Sequence, residues 1–96
     1  MVYVISLERL TDLRLNLWSH DVLGVVSSEE MVPKVLLDLT IKNFPQITDF
    51  LDLDNLLSHL TYVFQHRADE NYFKYTVEVG GNFKGNFYVE LVPTLG

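Results

Sequence analysis

Asp52-Leu53-Asp54-Asn55-Leu56-Leu57-Ser58-His59-Leu60-Thr61-Tyr62-Val63-Phe64-Gln65-His66-Arg67 is the stretch whose reading decides the fold. At 3.6 residues per turn, Leu53, Leu56, Leu57, Leu60, Val63 and Phe64 fall within an arc of roughly 120°, the width of a core-facing stripe. Asp54, Ser58, Thr61 and Gln65 fall opposite, toward solvent. Asp49, Asp52 and Asp54 gather at the amino end, where free N–H groups and the macrodipole favour carboxylates, and Arg67 lies at the other end, where a cation is favoured. Ile47 and Leu51 fall off the apolar arc. The pattern therefore predicts one long amphipathic helix from about Thr48, its expected cap, to Arg67, distorted in its first turn.

Strand patterns lie on both sides of this helix. Val2–Leu7 is apolar and β-branched, and Leu13, Leu15 and Leu17 alternate with Asp12, Arg14 and Asn16. Period two marks a strand with one wet face, and Thr11-Asp12 is the expected turn between these two strands. Val22–Val26 flanks Gly24 and predicts a short bulged strand. Ser27 and Glu30 have the spacing of a capping box, and Pro33 is expected to hold any helix there to about one turn. Val35, Leu37, Leu39 and Ile41 alternate with Leu36, Asp38, Thr40 and Lys42, which predicts a strand over Lys34–Lys42. After the helix, Phe73, Tyr75, Val77 and Val79 face one way, Phe87, Val89 and Leu91 do the same, and Gly80–Asn86 is the expected turn.

These elements predict a single α+β domain over residues 1–96 in the order β-β-(β)-β-α-β-β. One long amphipathic helix would pack on one face of a mostly antiparallel sheet of five to six strands. The other face would carry Trp18, Leu36, Tyr72, Tyr88 and Val92 among Arg14, Asp38, Thr40, Lys42, Lys74 and Glu90. That mixture is too apolar for a plain wet face and points to self-association or a protein partner.

Composition narrows the function classes. Ninety-six residues support one core, and an apolar fraction of 48% with five Tyr, six Phe and one Trp can fill it without metal or disulfide. No Cys is present, which fits a reducing compartment, and no basic n-region or long uncharged apolar run suggests a signal peptide or a membrane span. A cytoplasmic protein with no membrane contact is the expectation. A formal charge of −6 with scattered Lys and Arg argues against direct nucleic-acid binding.

No stretch carries a catalytic or cofactor motif. His59 and His66 stand two helical turns apart, about 10.5 Å, too far for one ion to take both, so neither metal nor cofactor is expected. Asp52-Leu53-Asp54 begins like a calcium loop but lacks its glycine and closing glutamate. Ser19-His20-Asp21 is contiguous in sequence, which is not triad geometry, and is expected to end a strand at a turn. Two surfaces remain. Asp52, Asn55, His59, Tyr62 and His66 form a stripe flanking the apolar arc, and Trp18, Phe83 and Lys84 offer aromatic and basic groups on strand or turn positions. These eight residues are the candidate partner-binding set. The leading expectation is a small acidic protein–protein interaction module without catalysis of its own: an adaptor, a chaperone-like subunit or an inhibitor of a larger protein machine. Its partner would be a protein of unknown identity, with a homodimer as one form. The alternatives are a small enzyme or ligand-binding domain with a pocket between helix and sheet or at a dimer seam, using His59, Tyr62 and His66, and a DNA-mimic inhibitor.

Overall fold

The structure, a computed structural model, describes residues 1–12, 14–66 and 72–93. Strands β1 (Val2–Asp12), β2 (Leu17–Val26), β3 (Tyr72–Val79) and β4 (Asn82–Val92) form one antiparallel sheet in the spatial order β2-β1-β4-β3. Between β2 and β3 the chain forms helices α1 (Val32–Asn43) and α2 (Leu53–Gln65), with short 3-10 segments at Glu29–Met31 and Pro45–Asp49. The α+β class and the antiparallel sheet match the sequence reading. The element count does not: among the described residues four strands and two α-helices replace the expected five to six strands and one long helix.

The extra helix is the segment read as a strand over Lys34–Lys42. Its leucines satisfy both periods, and burial decides between them: Val32, Leu36, Leu37 and Thr40 are inside, recurring at helical spacing, while Lys34, Asp38 and Lys42 are exposed. Lys34 Nζ meets Asp38 Oδ1 at 3.2 Å, one turn on. Pro33 starts this helix instead of limiting it, because a first-turn N–H has no intrahelical partner to lose and the ring presets φ. The capping box at Ser27 and Glu30 does not form; Ser28 leads the 3-10 turn and offers no side-chain hydrogen bond.

The long helix is also shorter than expected. Asp52 ends the preceding irregular stretch and caps α2, its Oδ1 accepting from the Asp54 and Asn55 amides at 2.9 and 3.5 Å. Thr48, the expected cap, donates its hydroxyl to the Pro45 carbonyl at 2.9 Å inside the 3-10 segment. Arg67 lies outside the described residues. Within α2 the arc holds: Leu56, Leu60 and Phe64 are buried, and Leu53, Leu57 and Val63 pack at the core margin.

The first hairpin turns later than expected. Arg14–Asn16 forms the turn, with Asp12 Oδ1 accepting from the Arg14 and Leu15 amides at 2.9 and 3.1 Å and Asn16 at φ 52°. Leu15 is therefore a turn residue, not a strand residue, and Leu13 lies outside the described residues. Ser19-His20-Asp21 sits within β2 instead of ending a strand. In the second hairpin the turn is the pair Gly80-Gly81, both at positive φ, 58° and 80°, and Asn82 already opens β4 opposite Val79. The glycine-rich segment to Asn86, expected as turn, is mostly strand.

Both helices cover the same side of the sheet. Tyr3, Ile5 and Leu7 of β1, Phe73, Val77 and Val79 of β3, and Phe87 and Val89 of β4 join the helix residues in one core. Buried polar groups are paired there, as burial demands: the Thr40 hydroxyl donates to the Leu36 carbonyl at 2.7 Å. Leu36 and Thr40, expected on the far face of the sheet, lie in this core.

Candidate functional site

Among the described residues, the helices leave the other face of the sheet open. Since Tyr3, Ile5 and Leu7 turn toward the helices, Val4, Ser6, Glu8 and Leu10 turn away, and residues paired with them across strands share that side. On β2 these are Val25, Val22, His20 and Trp18, opposite Val4, Ser6, Glu8 and Leu10 in turn. On β4, Tyr88 stands opposite Ser6 and Asn86 opposite Glu8. On β3, Lys74 and Thr76 stand opposite Tyr88 and Asn86, and Tyr72 opposite Glu90.

The centre of this face is a closed polar network. Glu8 Oε1 accepts from Asn86 Nδ2 and from the Tyr88 hydroxyl, both at 3.2 Å, and Asn86 Oδ1 accepts from the Thr76 hydroxyl at 2.7 Å. Aromatic rings close over it: His20 stacks on Tyr88 at 5.9 Å, and Tyr72 tilts against Tyr88 at 5.7 Å. Burial pushes the Tyr88 phenol pKa above its usual value, and the Glu8 charge pushes the same way. Tyr72 is raised too, by burial first and then by Glu90 and Glu8. The Tyr88 phenol is thus held neutral as the donor to Glu8. Among the described residues no buried side-chain nitrogen or oxygen lacks a partner, so the network asks for no further ligand.

An apolar margin surrounds that centre. Trp18 and Phe83, separate candidates 65 positions apart in sequence, meet with ring centroids 5.6 Å apart. Trp18 Nε1 donates to Asn16 Oδ1 at 3.1 Å, which fixes the indole while leaving it 44% exposed. Further along β2 on the same side, Val22 and Val25 are 66% and 61% exposed. Large apolar side chains left in water on one sheet face are the mark of a docking surface.

The other candidates separate into three places. Lys84 borders a depression of about 320 Å³ with Arg9, Asn43 and Gln46, where Arg9 caps α1 by donating to the Asn43 carbonyl at 3.5 Å and lies 5.0 Å from the Phe44 ring centre. Asp52, Asn55 and His59 line a shallow groove of about 340 Å³ with Phe50, Leu51 and Leu56. Tyr62 and His66 lie further along α2, stacked on each other at 4.3 Å, with His66 Nδ1–H donating to the Tyr62 carbonyl at 2.9 Å. The α2 stripe is real as a row on the helix, but its members do not converge on one point. Asp52 has a structural duty as the cap of α2, and Asp52→Ala is expected to lower unfolding stability by about 1 kcal/mol in urea titration whatever else the groove does.

Catalytic geometry is not assembled from the sequence's only local trio. Ser19 and Asp21 pair with Arg9 and Leu7 on the helix side, while His20 pairs with Glu8 on the open side. Among the described residues no group of three or more His, Cys, Asp or Glu could hold a metal ion, and no helix is long and apolar enough to cross a membrane. Glu8 and Asn86 escaped the sequence reading, and His20 entered it only as part of the Ser19-His20-Asp21 trio. Glu8 and Asn86 are 78 positions apart, and only the β1–β4 pairing joins them. The usable signal was weak: Glu8 continues the even positions of β1, away from the buried odd ones.

No family model matches the chain, nor does any curated protein or solved structure.

Proposed function

We propose that this chain is a protein-binding module whose docking surface is the open face of its sheet, with Trp18 and Phe83 as the anchor pair. One observation carries the reading: the side of the sheet away from the helices holds exposed Trp18, Val22, Val25 and Phe83 around polar groups that already satisfy one another. A partner covering this face would gain apolar burial without stranding the Glu8 carboxylate, whose hydrogen bonds come from within the chain. The amphipathic tips of Tyr72, Tyr88 and Trp18 suit such a boundary, since each offers a large ring and one polar handle.

Affinity capture from the source cells with the wild-type chain and three variants tests this. Trp18→Ala and Phe83→Ala are each expected to weaken partner retention by tenfold or more, on the order of 2 kcal/mol, as truncated anchors do. Tyr62→Ala, on the exposed side of α2, is expected to leave retention unchanged. The opposite ranking would move the surface to the α2 groove. A wild-type chain that retains no protein would remove the module reading.

A further inference from the structure

The open face ends at an open edge. Among the described residues β2 pairs with β1 alone, so one row of its backbone N–H and C=O groups has no described strand beside it. Edge strands are normally blunted by Lys, Pro or shortness. The opposite edge, β3, carries Lys74 as its third residue, whereas β2 runs ten residues, Leu17–Val26, without Lys, Arg or Pro. Its pairing with β1 is interrupted twice, by a bulge that makes Leu23 the extra residue and by a register shift between Trp18 and Leu17, which leaves Trp18–Val22 as the regular ladder. Among the described residues the strands and their turns carry five acidic and four basic side chains, whereas the segment Glu29–His66 carries six and two. The negative charge is therefore held on the helical layer, and the sheet layer is close to neutral, which permits contact with an identical sheet.

We propose that β2 pairs antiparallel with the β2 of a second copy about a two-fold axis at His20, joining two four-stranded sheets into one of eight strands. A two-fold normal to the sheet keeps like faces together, so the strand can be centred only on a residue. Centring on Asp21 opposes two carboxylates. Centring on Ser19 sets Leu17 against Asp21. Centring further along runs into the bulge. With His20 at the centre, Trp18 lies opposite Val22 and the Ser19 hydroxyl opposite the Asp21 carboxylate, and the pairing stays within the regular ladder Trp18–Val22. Exposed Trp18 and Val22 then cover one another across the seam. This goes beyond the docking-face reading, because it uses the strand's edge and leaves both open faces on one side of a continuous platform.

The chain has no cysteine, so single-cysteine variants report register without background. Opposed residues in an antiparallel pair lie about 4.5–5.5 Å apart, inside the Cα range of a disulfide. His20→Cys is expected to form a disulfide-linked dimer under mild oxidation, and Val22→Cys, opposite Trp18, is not. Sedimentation equilibrium should show wild-type dimer growing with concentration, Val22→Lys with a dissociation constant raised at least about tenfold, and Tyr62→Lys unchanged. Amide hydrogen exchange on the wild-type chain supplies a readout that needs no variant: the outward amides of Trp18–Val22 should gain protection as concentration rises. A wild-type monomer up to about 500 µM with concentration-independent exchange overturns the proposal, while leaving the docking face to its own test. A dimer that survives Val22→Lys with β2 exchange unchanged overturns it as well.

Discussion

Phe64→Ala is expected to lower the unfolding free energy by about 3–5 kcal/mol. The ring is 2% exposed and stands edge-on to Tyr3 at 5.9 Å and to Phe73 at 5.6 Å. It thus joins α2 to β1, near the middle of the sheet, and to β3, at its edge. Removing it forfeits the transfer of an aromatic ring from water and leaves a void between three elements that cannot collapse without moving the helix. Against a total stability of about 5–15 kcal/mol, such a loss takes a large share of the whole. Urea unfolding followed by circular dichroism measures it. A loss below about 1.5 kcal/mol would mean that α2 is not held to the sheet through this ring. Tyr62→Ala on the same helix is the reference, expected within about 0.5 kcal/mol of wild type because Tyr62 is 62% exposed.

Gly85→Ala is expected to cost about 1–3 kcal/mol, although alanine ordinarily restricts the unfolded chain and stabilises. The reason is space, not backbone conformation. A Cβ at Gly85 would stand 2.7 Å from the Glu8 carbonyl oxygen, with Phe44 Cζ at 3.3 Å and Arg9 Cα at 3.4 Å. The closest atom is main chain in the central pair β1–β4, so relief requires parting those strands. Gly24 gives the contrast, because a methyl group added there would meet nothing within 4 Å. Gly24→Ala is therefore expected to be neutral or slightly stabilising. Thermal unfolding of the two variants side by side checks this, and equal midpoints would refute the close approach at Gly85.

The sequence made some elements plain and hid others for identifiable reasons. The β3–β4 hairpin was legible because Phe73, Val77, Phe87 and Val89 alternate strictly and Gly80-Gly81 supplies the positive φ of a tight turn. The apolar arc of α2 was legible because leucines recur at three and four. Helix α1 was not, because Val35, Leu36, Leu37, Leu39 and Ile41 fit either period and only the docking of Leu36 and Leu37 against the sheet selects one. Of the candidate site, Trp18 and Phe83 were visible singly, as aromatics on polar strand or turn positions. Their contact was not visible, nor was the Glu8–Asn86–Tyr88 network, because both depend on β4 lying beside β1. The Asp52–His66 stripe followed from helical spacing alone, but spacing could not tell that Asp52 is spent on capping α2.

The strand order has a consequence for the chain as it is made. Each hairpin closes locally, yet β1 cannot gain its β4 partner until residues about 80 positions later exist, with Ser6 opposite Tyr88 and Leu7 opposite Phe87. At a synthesis rate of about 5–20 residues per second, that interval is roughly 4–16 s. Throughout it, the β4-facing edge of β1 in the nascent β1–β2 hairpin is unfilled, and until α1 and α2 have emerged the apolar surface on Ile5 and Leu7 is uncovered as well. The sheet's central seam therefore cannot close before β4 has been made, and slowing translation lengthens the window in which two nascent chains can pair wrongly.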